Sequence, residues 1–148
     1  MLSARSILAD VNVWIATMVA EHPHHRSAKS WWQHEVLPSG DVVAFCRHTQ
    51  LGLLRLLTNE KVMGDQRRTH LQAWGDYLQL LSQNLVIYRE EPEGVGDVLE
   101  ALCKLGGSSP NFWTDAYLAA FAKAGDLTFV TFDKGFKRFP RLKLDLLP

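Results

Sequence analysis

The sequence has 148 residues, 47% of them apolar, with 16 Lys and Arg against 16 Asp and Glu. This length suits one compact domain over residues 1–148, able to bury roughly 70% of its unfolded surface, and the apolar fraction excludes a disordered chain. A formal net charge of zero excludes a globally basic nucleic-acid binder, so a polyanionic partner requires a local patch.

Two cysteines, Cys46 and Cys103, lack any CxxC spacing. They exclude a disulfide scaffold and a Cys-rich zinc site, fit a reducing compartment, and are both expected to be small buried apolar residues. The apolar-rich stretch from Ile7 to Ala20 has the outline of a signal peptide, but Asp10 and Asn12 interrupt it and it is too short to span a bilayer. The expectation is a soluble, cytoplasmic protein with no membrane partner.

The elements follow in order. Ser6 to Asp10 reads as a buried strand, and Val11 to Ala20 carries apolar residues at helical spacing. His22-Pro23-His24-His25 breaks that helix, and Arg26 to Val36 makes a second one. Pro38-Ser39-Gly40 is a turn before a second strand, Val42 to Phe45. Thr49 to Thr58 is a leucine-rich helix expected to be well buried, and Asp65 to Ser82 a longer amphipathic one. Leu85 to Tyr88 is a third strand, Glu93 to Leu105 a helix ended by Gly106-Gly107, and Phe112 to Ala124 a helix ended by Gly125. Leu127 to Thr131 is the clearest strand, and the tail from Leu142 to Leu147 offers a short edge strand. Short apolar strands alternating with helices indicate an α/β sandwich with a parallel sheet of about four or five strands.

In such sheets ligands sit at the carboxyl ends of the strands. Asp10 follows Ile7-Leu8-Ala9 there, and Asp133 follows Phe129-Val130-Thr131-Phe132; Asp115 falls in the first turn of the helix after the Gly/Ser loop. Three carboxylates at one sheet edge repel each other, a divalent cation relieves the repulsion, and oxygen-only ligands suit Mg²⁺ or Mn²⁺. Each acid also has a structural reading: Asp10 as a helix N-cap, Asp115 as a first-turn acid on the helix dipole, Asp133 as a turn residue.

Four segments carry a resemblance to a known family. Ile7-Leu8-Ala9-Asp10-Val11-Asn12-Val13, with the histidines downstream, resembles the opening of a PIN domain of the VapC toxin type. Thr49 to Asn59 resembles the third helix of one VapC subgroup, and Trp113 to Ala120 and Val130 to Phe136 resemble the two late acidic motifs. The resemblance implies a PIN-like fold and a metal-dependent endoribonuclease, the toxin half of a toxin–antitoxin pair, with a VapB-like antitoxin, an RNA substrate and a homodimer. It implies Asp10, Asp115 and Asp133 as ligands to Mg²⁺ or Mn²⁺, with Asn12 and Thr131 as polar neighbours in the catalytic set. Many PIN domains add an acid, commonly Glu, in the third helix. Here Gln50 and Gly52 stand at that place, so Gln50, or Glu91, Asp97 or Glu100 from another element, is left to fill it.

Around these acids, Lys134, Lys137, Arg138, Arg141 and Lys143 form a basic run that reads either as a solvated face or as an approach for phosphate. Arg55 is open to phosphate, to an acid of the chain or to an antitoxin carboxylate. Trp31, Trp32 and Trp74 read as core or interface and Trp113 as a groove-lining aromatic. His22, His24 and His25 read as a solvated helix entry, lacking the spaced ligands of a zinc site. Two other readings stay open: an inactive binding module, favoured by the missing helix acid, and a Mg²⁺-dependent phosphohydrolase of the haloacid-dehalogenase kind, disfavoured by Asn12 where that chemistry needs a second Asp.

Overall fold

The structure, a computed structural model, describes residues 4–148. Five parallel strands are joined by helices on both faces: β1 Ser6–Ala9, β2 Val42–Phe45, β3 Val86–Tyr88, β4 Thr128–Thr131 and β5 Leu144–Leu146, in the order β3-β2-β1-β4-β5. Leu8 of β1 stands opposite Ala44 of β2 and Phe129 of β4. The expected parallel sheet is present, with the tail adding its edge strand. The chain builds outward from β1 to β3 and then returns to the other side of β1, so the carboxyl ends of β1 and β4 flank a topological switch point.

Side chains alternate across the sheet and feed two cores. Ile7 and Ala9 of β1 join Trp14, Phe45, Leu53, Leu57 and Tyr77 on one face, packed by α1 (Val11–Met18), α2 (His25–Trp31), α4 (Arg47–Leu57) and α6 (His70–Leu81). Leu8 joins Phe121, Phe129 and Phe136 on the other, packed by α7 (Val95–Leu102) and α8 (Phe112–Ala124). Trp14 stacks on Phe45 with centroids 4.1 Å apart, anchoring α1 to β2.

Several expected boundaries move for identifiable reasons. The amphipathic helix starts at His70, not Asp65, because Thr69 and Gln72 form a capping box. The preceding chain instead makes α5 (Glu60–Met63), capped by Asn59, and a short 3₁₀ turn, neither of which was expected. The second helix continues past Trp31 as a π-helical turn, Trp32–Val36, then α3 (Leu37–Ser39). The helix expected over Glu93 to Leu105 is α7 followed by a 3₁₀ turn, Cys103–Leu105, which leaves Cys103 exposed rather than buried; Cys46 is buried as expected. The leucine-rich helix is less buried than expected. Thr49, Gln50, Leu53 and Leu57 face inward, whereas Arg47, Leu51 and Arg55 are exposed.

Gly52 sets how closely α4 approaches the start of α1. A Cβ built there would lie 2.6 Å from Val11 Cγ2, well inside contact distance, and Val11 directly follows Asp10. The expected result of Gly52→Ala is a loss of about 1–3 kcal/mol in urea denaturation from overpacking. An unchanged midpoint would mean that α4 can withdraw freely.

Candidate active site

Asp10 closes β1 and begins α1. Its N–H donates to Val130 O (2.9 Å), so the residue is fixed to β4 before its side chain is placed. One carboxylate oxygen accepts from Val11 N (2.8 Å) as the helix N-cap, and the other accepts the Thr131 hydroxyl (2.8 Å). Thr131, fully buried at the end of β4, also accepts from Asp133 N (3.0 Å) and from Asn12 Nδ2 (3.3 Å). One hydroxyl thus ties together Asp10, Asn12 and Asp133. Asp133 Oδ1 in turn accepts from Gly135 N (2.8 Å).

Asp115 lies in the first turn of α8, which enters the sheet's carboxyl edge ahead of β4. Its Oδ2 accepts from Arg138 Nη2 (3.0 Å), while Arg138 Nη1 donates to Gly135 O (2.7 Å). The structural and chemical readings of the acids therefore coexist: Asp10 caps a helix, Asp115 complements a dipole and Asp133 closes a turn, all at the same crevice.

Burial, the largest effect, pushes the Asp10 carboxyl up to about 6; the Thr131 hydroxyl and the Val11 N–H pull it down, and the charges of Asp115 and Asp133 raise it further. Asp10 feels the charges of the other two acids, yet the three are not a preassembled ligand set. No three His, Cys, Asp or Glu side chains among the described residues are gathered to hold a metal ion. The reason is local. Asp115 is turned to Arg138, and an oxygen of Asp133 is taken by its own turn. The donor set nevertheless fits a hard divalent cation: oxygen atoms only, with one carboxylate desolvated and in the field of two like charges.

The other singled-out residues divide. Lys134, Lys137 and Trp113 are exposed beside this crevice, in the loop after β4 and at the start of α8. Arg55 is exposed on α4. Lys143 is drawn off to Asp126 (2.6 Å). Trp31 is buried and Trp32 half-buried, whereas Trp74 is exposed on α6. His24 stacks on Phe132 (centroids 4.3 Å apart), and His25 Nδ1 meets Ala16 O at 2.7 Å, so the histidine segment packs beside the site loop without forming a metal cluster.

Gln50 is turned inward. It is 3% exposed and its Oε1 accepts from Arg47 Nη1 (2.6 Å). Glu91 reaches α8, accepting from the Tyr117 hydroxyl (2.8 Å), while Asp97 and Glu100 are exposed on α7. The residue missed in the sequence is His48. Its ring meets that of Tyr117 edge-on at 6.2 Å, and the charges of Arg55 and Asp115 both act on it. Its place just past the carboxyl end of β2 was the available signal.

The PIN domain profile matches residues 7–142. The chain belongs to the PIN-domain family. Among relatives of this PIN domain, Ribonuclease VapC41 of Mycobacterium tuberculosis is 37% identical over 145 residues, covering 95% of this chain and 98% of that one. Ribonuclease VapC29 of the same species is 30% identical, covering 88% and 87%. A crystal structure of VapBC2 from Rickettsia felis bound to a DNA fragment from their promoter superposes with a TM-score of 0.68 at 18% identity, covering 97% of this chain and 99% of that one. Mycobacterium tuberculosis VapC20, a Sarcin-Ricin loop cleaving toxin, gives 0.63 at 18% identity, covering 96% and 99%. No helix among the described residues is long and apolar enough to cross a membrane.

The raised Asp10 carboxyl makes a pH prediction. Folding penalises its ionised form, so stability is lost as pH rises from the unfolded value near 4 to about 6. In urea denaturation in EDTA, the effect of Asp10→Asn should be more stabilising at pH 8 than at pH 4 by roughly 3 kcal/mol. An equal effect at both pH values would mean that the carboxylate carries no burial penalty.

Proposed function

We propose that this PIN domain is a divalent-metal-dependent endoribonuclease, the toxin of a VapBC-like pair, acting in the cytoplasm on RNA and held in check by a VapB-like antitoxin. The observation that carries the reading is the Thr131-centred arrangement at the switch point: a desolvated Asp10, with Asp133 and Asn12 on the same hydroxyl and Asp115 across the crevice. The family membership and the VapC ribonuclease relatives support it, and homodimerisation follows as an expectation from the same likeness.

In this reading Asp10, Asp115 and Asp133 hold Mg²⁺ or Mn²⁺. The chemistry such an ion supplies when bound is activation of a water and neutralisation of charge on the phosphoryl oxygens. The chain's own residues prepare for it. Thr131 fixes Asp10 relative to Asp133, and Asn12 holds Thr131 from the other side. Arg138 pairs with Asp115 at 3.0 Å, and in this reading its guanidinium is the cation available to a phosphate at the crevice. Lys134, Lys137 and Arg55 attract the backbone, and exposed Trp113 offers a stacking face.

One observation favours the inactive binding module instead: α4 presents no carboxylate where the family commonly has one. The two readings separate in one assay, with protein freed of bound partner and incubated with cellular RNA in Mg²⁺, Mn²⁺ or EDTA. Metal-dependent products that vanish in Asp10→Ala, Asp115→Ala and Asp133→Ala are expected, with growth arrest on expression relieved in parallel. Thr131→Val should cut slowly, down about 10–100-fold. If the three Asp variants stay as toxic as wild type, the metal assignment is wrong; binding without cleavage in either metal selects the module.

A further inference from the structure

Helix α4 carries no acid at all. Its solvent-facing stripe consists of Arg47, His48, Leu51 and Arg55, spaced i, i+1, i+4 and i+8. No carboxylate lies on this stripe, and three of its four residues donate hydrogen bonds. It is held against the site from two sides. Gly52 brings α4 onto Val11, next to Asp10, and His48 packs edge-on against Tyr117, which follows Asp115 on α8. The Tyr117 hydroxyl donates to Glu91 (2.8 Å), which orients the ring that His48 meets.

We infer that His48 and Arg55, on the outward stripe of α4, form a phosphate-binding wall for the RNA backbone, with His48 at the Asp115 side of the crevice. The inference rests on the ribonuclease reading above and names how that substrate is held. The two side chains stand seven residues apart on one helix, about 10 Å along its axis, which suits two points of contact on one strand rather than two ligands of one ion. Burial and then the Arg55 charge hold His48 below the usual histidine range, with Asp115 pulling the other way. A neutral imidazole still donates one N–H, so the contact does not need the charged form. Arg55 supplies the fixed positive charge, and Leu51 between them, exposed, gives an apolar surface for a sugar.

The test uses wild type, His48→Ala, His48→Gln and Arg55→Ala, each freed of bound partner and shown to be folded by circular dichroism. The probe is one labelled RNA stem–loop, read for binding by anisotropy in EDTA and for cleavage in Mg²⁺. His48→Ala should weaken binding and raise KM about 10-fold, a typical loss for one good contact, with kcat within three-fold. His48→Gln should recover most of the binding, because its amide also donates. Arg55→Ala should weaken binding and reduce the salt slope by about one.

Wild-type binding and KM in His48→Ala would overturn the inference, as would a loss in kcat alone or a His48→Gln variant no better than alanine. If His48→Ala does not fold, His48→Gln against Arg55→Ala still decides it: unchanged binding in Arg55→Ala rejects the wall. A wild type that binds this RNA but cuts no RNA, with binding lost in the variants, would fail the ribonuclease reading and leave the wall standing. A wild type that neither binds nor cuts RNA would fail both.

Discussion

The half-buried carboxylate of Asp10 is the constraint on which the rest of the crevice depends. It stands where the central strand passes directly into α1, and its partial desolvation disfavours its charge. Two hydrogen bonds, from Val11 N–H and the Thr131 hydroxyl, offset part of that cost, and the start of α1 adds its dipole. They do not offset all of it, because Asp115 and Asp133 add negative charge nearby. The opposite edge of the sheet shows the contrasting solution. There Asp41, 1% exposed, is met by Arg5 through both its backbone N–H (2.7 Å) and its guanidinium (3.3 Å), and the same guanidinium reaches Asp145. One edge compensates its acids with an arginine; the other leaves its half-buried acid without one.

Arg138 partly answers that shortage, and the way it does so is informative. It pairs with Asp115 rather than with Asp10, and it is itself anchored to Gly135 O in the turn that Asp133 closes. The pair is half-buried, in a setting where its formation and its loss differ by little. The basic run after β4 is therefore not one feature. Arg138 belongs to the site, Lys143 is committed to Asp126, and Lys134 and Lys137 are left facing solvent beside it.

Much of this was legible in the sequence where the signal is local. The alternating apolar runs gave five strands close to their observed limits, and Asp10 and Asp133 follow strands whose pairing places them together. What was not legible depends on tertiary direction. Thr69 and Gln72 capping α6 outrank the weak periodicity before them, so that helix began late. Cys103 reads as core by residue type but falls on a 3₁₀ turn that faces water. The side chain of Asp115 cannot be aimed from sequence at all: its pairing with Arg138 depends on where the turn after β4 returns. The inward turn of Gln50 likewise follows from the packing of α4 beneath α6, which leaves His48 and Arg55 outside.

That outward set changes the charge balance of the crevice. A carboxylate on the exposed stripe of α4 would bring a further negative charge to a site whose half-buried acid is already destabilised by two neighbours, and would need a second cation to settle. With Arg47, His48 and Arg55 there instead, the outward stripe of α4 is neutral to positive, and it does not extend the negative surface of the acids. The close approach at Gly52 fixes α4 against the start of α1, and His48 on that helix lies near enough for the charge of Asp115 to act on it. The absent acid thus leaves the outward stripe of α4 without negative charge, in contrast to the three acids gathered at the ends of β1 and β4 and the start of α8.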